Sequence, residues 1–268
     1  MAIASDSGRI LLEEDGSCSG SFGPFVLRTA LQPIFGRSRA GQLKLRGIEG
    51  LLRLFQNGRP YSPADFFARI GGNQHISVDA LCRQIHLVNA SLEPAENVLL
   101  FLNFNPSLYQ DNRQIAFQIN RLKTDVKASR FSPSRIVCEM TEQQITKPNR
   151  MVYLIDSLRE AGFKIAVDDY GAESSDARRV DLVRPDIIKL DAHWVARLMD
   201  SQSGYAVLKD TVDRFRQDGA TVVLEGLEKS FQIELAWGAG ADLVQGFALA
   251  RPQIAPTNFT GLFGNPPA

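Results

Sequence analysis

Eight short apolar runs, separated by amphipathic stretches and each stopping at a polar residue, constrain the fold of this chain more than any other feature. They cover residues 25–35, 43–48, 98–104, 135–138, 164–167, 186–190, 221–224 and 242–244. Runs of this length read as strands buried on both faces. Between them, apolar residues recur at three- and four-residue spacing, as in Val78, Leu81, Cys82, Ile85 and Val88, or Val152, Ile155, Leu158 and Arg159. That period predicts helices. Gly162 and Gly219 stand as helix stops directly before a strand. Alternating strands and helices imply a mostly parallel sheet covered by helices, and eight units close most readily into a (β/α)8 barrel of the α/β class. An open doubly wound sheet is the alternative. Neither a GxGxxG nor a GxxxxGK[ST] sequence follows any run, so a dinucleotide or P-loop reading has no anchor.

A chain of 268 residues can fill one large core. Residues 1–23, rich in Ser, Gly and acidic side chains and without periodicity, read as a flexible leader, which leaves one domain over 24–268. Lys plus Arg and Asp plus Glu both count 30. No net positive field is available to hold a long nucleic acid by counterion release, whereas a small anionic ligand is compatible. Cys18, Cys82 and Cys138 form no CxxC pair, which suits a reducing, cytoplasmic compartment. The acidic Glu13, Glu14 and Asp15 occupy a region where an export signal needs a basic start. The longest apolar run, 98–102, falls far short of the ~20 residues that span a bilayer, so direct membrane insertion is not expected.

What closes the runs carries the chemistry. Glu49, Asn103, Glu139, Asp168 with Asp169, and Glu225 each follow the end of an apolar run. In a barrel these strand ends share one face, so oxygen donors remote in sequence converge there. Five carboxylates and an amide form a hard donor set suited to Mg²⁺ or Mn²⁺, and none of His75, His86 and His193 ends a run as zinc would favour. The adjacent pair Asp168-Asp169 can bridge two ions, an arrangement that hydrolyses phosphodiesters. Lys189, inside the apolar run 186–190, needs carboxylates or a phosphate beside it. There it can orient the attacking water or stabilise developing negative charge, and Glu225 is suited to take the proton from that water. Singly, each residue also has a structural reading. Asn103 can be a turn residue, Asp169 can open the Tyr170-Gly171 turn, and Lys189 can pair with Asp191 or Asp168; their joint occurrence points to a site. Cys138, one residue before Glu139, faces the other side of its strand as a core thiol. Arg178-Arg179, Lys123 and Lys127 read as solvated helix faces, and His193, Trp194 and Trp237 as packing residues.

In order, Gln32-Pro33-Ile34, Glu49-Gly50-Leu51-Leu52-Arg53, Asn103-Phe104-Asn105-Pro106, Glu139-Met140-Thr141-Glu142, Asp168-Asp169-Tyr170-Gly171, Lys189-Leu190-Asp191, Glu225-Gly226-Leu227-Glu228 and Gln245-Gly246-Phe247 resemble the successive motifs of the EAL domain. The match spans residues 28–252. The resemblance implies a modified TIM-type (β/α)8 barrel, commonly a homodimer, that hydrolyses cyclic di-GMP to linear pGpG with two divalent ions, Mg²⁺ or Mn²⁺. It implies Glu49, Asn103, Glu139, Asp168 and Asp169 as metal ligands, Lys189 as the water-orienting lysine, and Glu225 as ligand or base. Gln32, Arg53 and Gln245 match positions near the nucleotide, Glu142 the glutamate that braces the loop after the two aspartates, and Glu228 the second acid of its motif, with Asp191 beside the site. Three departures stand out: Gly50 in place of the signature alanine, Asn105 in place of serine, and Ala172-Glu173-Ser174-Ser175-Asp176-Ala177 where the family has Thr-Gly-Tyr-Ser-Ser-Leu. The altered loop keeps open an alternative, a cyclic di-GMP receptor of weak or no activity or a protein-interaction module.

Overall fold

All eight apolar runs form strands, and their pleat sorts the side chains into an inner and an outer layer. The computed structural model describes residues 8–93, 97–129, 131–140, 148–172 and 176–263. Over these, the strands are β1 (Arg9–Leu12), β2 (Cys18–Phe22), β3 (Phe25–Arg37), β4 (Leu43–Gln56), β5 (Arg59–Tyr61), β6 (Leu99–Phe104), β7 (Ile136–Met140), β8 (Lys164–Tyr170), β9 (Ile187–Leu190), β10 (Thr221–Leu224), β11 (Leu243–Val244) and β12 (Gln253–Ile254). The helices are α1 (Pro63–Arg69), α2 (Gly72–Ala90), α3 (Asn112–Ala128), α4 (Pro148–Glu160), α5 (Asp176–Val183), α6 (Ala192–Met199), α7 (Gln202–Gln217), α8 (Ser230–Gly238) and α9 (Phe259–Phe263).

Strands pair in the order β3-β11-β10-β9-β8-β7-β6-β4, and β4 pairs back onto β3 to close an eight-stranded barrel. From β4 through β11 the neighbours run parallel. β3 departs from the mostly parallel expectation, because it is antiparallel to both β4 and β11. The connection explains it. Residues 38–42 alone link β3 to β4, and a parallel crossover needs a dozen residues or more.

Alternation along the strands fills the barrel. Ile34, Phe101, Val137, Ala166, Ile187, Val223 and Leu243 form a buried inner cluster. The intervening Leu100, Leu102, Ile136, Cys138, Ile165, Val167, Ile188, Leu190, Val222 and Leu224 face outward into the larger core under the helices. Cys138 is accordingly a buried thiol whose pKa burial raises to about 12. The helices present matching stripes. α3 starts where Asp111 accepts from the Gln114 N–H at 2.8 Å, then buries Ile115, Ile119, Leu122 and Val126. Both glycine stops adopt positive φ, 84° at Gly162 and 90° at Gly219. Their amides, with those of Phe163 and Ala220, return to the last helical turn as Schellman pairs. In α4 the buried stripe is Met151, Leu154, Ile155 and Leu158, so Val152 and Arg159 lie on the solvent side. Among the described residues, no helix is long and apolar enough to cross a membrane.

The expected flexible leader is corrected over residues 9–22. β1 and β2 form an antiparallel hairpin that extends β3. Cys18 and Phe22 pack into a cluster with Phe66, Val78, Leu81 and Ile85. The Asn89 side chain closes a two-way pair with the Cys18 backbone, accepting from its N–H and donating to its carbonyl, both at 2.8 Å. A Cβ at Gly20 would sit 3.1 Å from Leu81. The small residues that read as flexibility are what let α2 approach the sheet.

Candidate active site

One polar side chain per barrel strand lies two residues beyond the apolar plug, toward one mouth. Reading the pleat, Glu49 follows Gly47, Asn103 follows Phe101, Glu139 follows Val137, and Asp168 follows Ala166. Lys189 follows Ile187, Glu225 follows Val223, and Gln245 follows Leu243. On the reversed β3 the order inverts, and Gln32 precedes Ile34. Register places Gln32 opposite Glu49, Asn103 opposite Glu139, and Lys189 opposite Val223. Gly47 keeps the plug closed by leaving room for Phe101, whose ring would lie 2.7 Å from a Cβ there.

Lys189 is the hub of this ring. Its Nζ lies 2.6 Å from Glu139 Oε1, 2.8 Å from Glu225 Oε1, 3.0 Å from Asp168 Oδ1 and 3.4 Å from Glu49 Oε2. The ammonium is 1% exposed. Burial alone lowers a lysine pKa, and here the four acids overcome it and hold Lys189 well above its ordinary value. Gln245 Nε2 donates to Glu49 Oε2 at 2.8 Å.

The acids outnumber the cation. Burial, with the charges of Glu49 and Asp168, raises Glu139 well above the carboxylate range despite Lys189. Burial, again opposed by Lys189, pushes Glu225 up to about 8, and burial followed by the charge of Asp168 pushes Asp169 up to about 6. Among the described residues, Glu139 Oε2 is buried without a hydrogen-bond partner. Crowded buried carboxylates together with an orphaned oxygen suit a divalent cation. Asp168, Asp169 and Glu225 each place an oxygen within 4.8 Å of the others. The donors present, carboxylates with the amide of Asn103 nearby, fit Mg²⁺ or Mn²⁺.

Neighbours in a plain strand point to opposite faces, so Asp168 and Asp169 need a device to share an ion. A bulge supplies it. The β8–β9 register slips between Val167 and Tyr170, and Asp169 adopts φ 54°, a left-handed conformation that aspartate tolerates better than most residues.

The remaining expected residues divide. Arg53 lines a cavity of about 540 Å³ beside the ring, with Gly50, Phe67, His75, Asn103 and Asn105. That volume suits a small ligand. Asp191 caps α6, accepting from the Trp194 N–H at 2.8 Å, and its charge adds to the rise of Asp169. Glu228 stands exposed on the loop before α8. Glu142 lies outside the described residues.

A family profile described as EAL domain matches residues 26–252. The chain belongs to the EAL-domain family. Its relatives include YkuI, an EAL-domain protein of Bacillus subtilis, 29% identical over 215 residues, which are 80% of this chain and 52% of YkuI. They also include cyclic di-GMP phosphodiesterase PdeB of Shewanella oneidensis, 28% identical over 83% of this chain and 26% of PdeB. The chain thus spans about half the length of YkuI and about a quarter of PdeB. Among solved structures, YkuI in complex with its substrate c-di-GMP and calcium superposes with a TM-score of 0.74 at 28% identity, covering 88% of this chain and 58% of that one. The manganese/c-di-GMP complex of Klebsiella pneumoniae BlrP1 at pH 6 gives 0.75 at 25% identity, over 94% and 60%.

Two departures from the EAL pattern acquire structural reasons. A Cβ at Gly50 would lie 2.9 Å from His86 Cβ and Cγ, so His86 fills the space of the signature alanine's methyl. His86 is buried, shares a 2.9 Å hydrogen bond between its Nδ1 and Thr29 Oγ1, and is held neutral by burial and Arg83, with a pKa near 3. Gly50→Ala should therefore overpack the site and cost roughly 1–3 kcal/mol. Combined with His86→Ala, its cost should be smaller than the sum of the two single changes in urea unfolding; strict additivity would contradict the contact. Asn105 accepts from the Ser107 N–H at 3.0 Å and the Ser107 hydroxyl at 2.7 Å, fixing the turn at residues 106–108. Within the third departure, residues 173–175 lie outside the described residues.

Sequence reasoning missed two buried arginines. Arg83 pairs with Asp79, covers the Phe104 ring at 4.1 Å, and lines the cavity. Its place among Leu81, Cys82 and Ile85, four residues after an aspartate, was the available signal. Arg179, expected on a solvated face, is 3% exposed; Arg178 is exposed as expected.

Proposed function

We propose that this EAL domain hydrolyses cyclic di-GMP to linear pGpG, using two divalent ions, Mg²⁺ or Mn²⁺, in a cytoplasmic homodimer. The observation that carries this reading is the convergence of Glu49, Glu139, Asp168 and Glu225 on one buried ammonium at the barrel mouth. Relatives named as cyclic di-GMP phosphodiesterases support the substrate. The compartment rests on three buried, free cysteines; the dimer rests on the family resemblance.

In this reading Glu49, Asn103, Glu139, Asp168 and Asp169 hold the ions, with Glu225 as a further ligand where it is not serving as base. Bound there, the ions supply Lewis acidity toward the phosphoryl oxygens and make water a better nucleophile. In this structure the acidic neighbours take up the three N–H donors of Lys189; with those carboxylates turned to the ions, Lys189 would direct an N–H toward the attacking water and the developing phosphoryl charge. Glu225, beside Lys189 at 2.8 Å and within 4.8 Å of Asp168 and Asp169, would be deprotonated by the ions' charge and so placed to accept the water proton and pass it to the leaving oxygen. Arg53 extends from β4 into the cavity beside the ring, where it can meet a phosphate or a base. Gln32, opposite Glu49 on the neighbouring strand, offers an amide donor, and buried Gln245 donates to Glu49.

The test is incubation of the protein with cyclic di-GMP and Mn²⁺, followed by chromatography. Release of pGpG, lost in Glu49→Ala, is expected. Tight binding of intact nucleotide without turnover would replace this reading with that of a receptor.

A further inference from the structure

The turn that carries Asp168 and Asp169 is held from three helices, and one of the holding groups is a buried cation with no part in the chemistry proposed above. Arg179, on α5, donates through Nη2 to the main-chain carbonyl of Asp168 at 2.5 Å. That carbonyl belongs to the bulge that leaves the β8–β9 register, where ladder pairing no longer fixes the backbone. The next residue, Asp169, holds φ 54°. Further on, Gly171 has φ 104° and packs against Trp194 of α6, whose ring would lie 2.5 Å from a Cβ at that position. Tyr170 sets its ring edge-on to Trp194 and Phe215, and its hydroxyl accepts from Arg214 of α7 at 3.1 Å. Trp194 and α7 therefore secure the far end of the turn, while Arg179 secures the peptide between the two aspartates.

We infer that Arg179 is a positioning residue for divalent-cation binding: its guanidinium fixes the Asp168–Asp169 peptide in the bulged conformation that brings both carboxylates to one face. A planar guanidinium held by burial restricts the carbonyl's direction more tightly than water can, and rotating this peptide would swing the Asp169 carboxylate away from Asp168 and Glu225. The inference rests on the proposed metal site.

Calorimetric titration of the purified protein with Mn²⁺, without nucleotide, tests it apart from turnover. Arg179→Ala should weaken Mn²⁺ binding about tenfold or more, in the range found when groups supporting metal ligands are removed. Arg179→Lys, which keeps a donor, should recover part of that loss. Arg159→Ala controls for simple loosening of α5, because Arg159 ties the end of the same helix through the carbonyls of Val183 and Arg184; it should lower the melting temperature yet keep wild-type Mn²⁺ affinity. Unchanged affinity in Arg179→Ala, or an equal loss in Arg159→Ala, would overturn the inference while leaving the proposed function standing. A wild-type protein that binds no Mn²⁺ would overturn both.

Discussion

Lys189→Met is expected to cut pGpG release by about 10²–10³-fold, the loss typical of removing one preorganised group that faces developing charge. The same change should reveal what the ammonium does before any ion binds. Four carboxylates lie within 3.4 Å of Nζ, and taking one partner from a buried charge network costs about 3–5 kcal/mol. Glu139 and Glu225 can limit that loss by binding protons, since burial already raises both. Urea unfolding without metal should therefore show a less stable variant, more so at alkaline pH than at neutral pH. Mn²⁺ should raise its melting temperature by more than it raises that of the wild type, because the ions then supply the missing positive charge. A variant as stable as the wild type without metal and unresponsive to Mn²⁺ would show that Lys189 is not the counter-charge of the acids.

A second large effect follows from pH. Glu225 is raised from 4.5 to about 8, and Glu139 is raised in the same direction. An acid whose folded pKa lies above its unfolded pKa stabilises the fold while it stays protonated. That contribution is full below the unfolded value and is lost as pH rises through the folded one. His86 acts oppositely, since its pKa falls from 6.5 to about 3, but its contribution is complete above 6.5. Glu93 is lowered by its hydrogen bonds from Thr257, Phe259 and Thr260, against burial, so its stabilisation is complete above 4.5. The window from pH 6.5 to 8 thus lies clear of His86 and Glu93 and reports the acids that burial raises, the ring among them with Asp79 and Asp125. Melting temperature without metal should fall across it, and saturating Mn²⁺ should flatten or reverse the fall, because binding favours the deprotonated acids. A metal-free melting temperature that is flat or rising from pH 6.5 to 8 would contradict the electrostatics assigned to the site.

Much of this was legible in the residues themselves. A strand buried on both faces must be apolar throughout, so a run such as 221–224 announces itself, and the polar residue that breaks it marks the mouth of the barrel. Glu49, Glu139, Asp168, Lys189 and Glu225 were found by that logic. Other features depend on contacts distant in sequence. The bulge at Asp168-Asp169 is invisible because the same two letters fit a regular strand; only the slipped pairing with β9 and the positive φ reveal it. The hairpin of β1 and β2 was hidden because Ser19, Gly20 and Ser21 carry little hydrophobic signal, yet the missing side chain of Gly20 is what lets Leu81 of α2 pack close. Arg179 sits between exposed Arg178 and half-buried Val180, and local sequence cannot say which arginine finds a backbone carbonyl indoors. The direction of β3 lay within reach, since the five residues to β4 are too few for a crossover.

Anomalous diffraction at the manganese edge, from crystals grown with Mn²⁺ and cyclic di-GMP, tests the central claim most directly. Peaks should lie within coordination distance of Glu49, Glu139, Asp168 and Asp169, at the mouth where Lys189 now holds the acids together. Nucleotide density at that mouth with no manganese peak among those carboxylates would contradict the account.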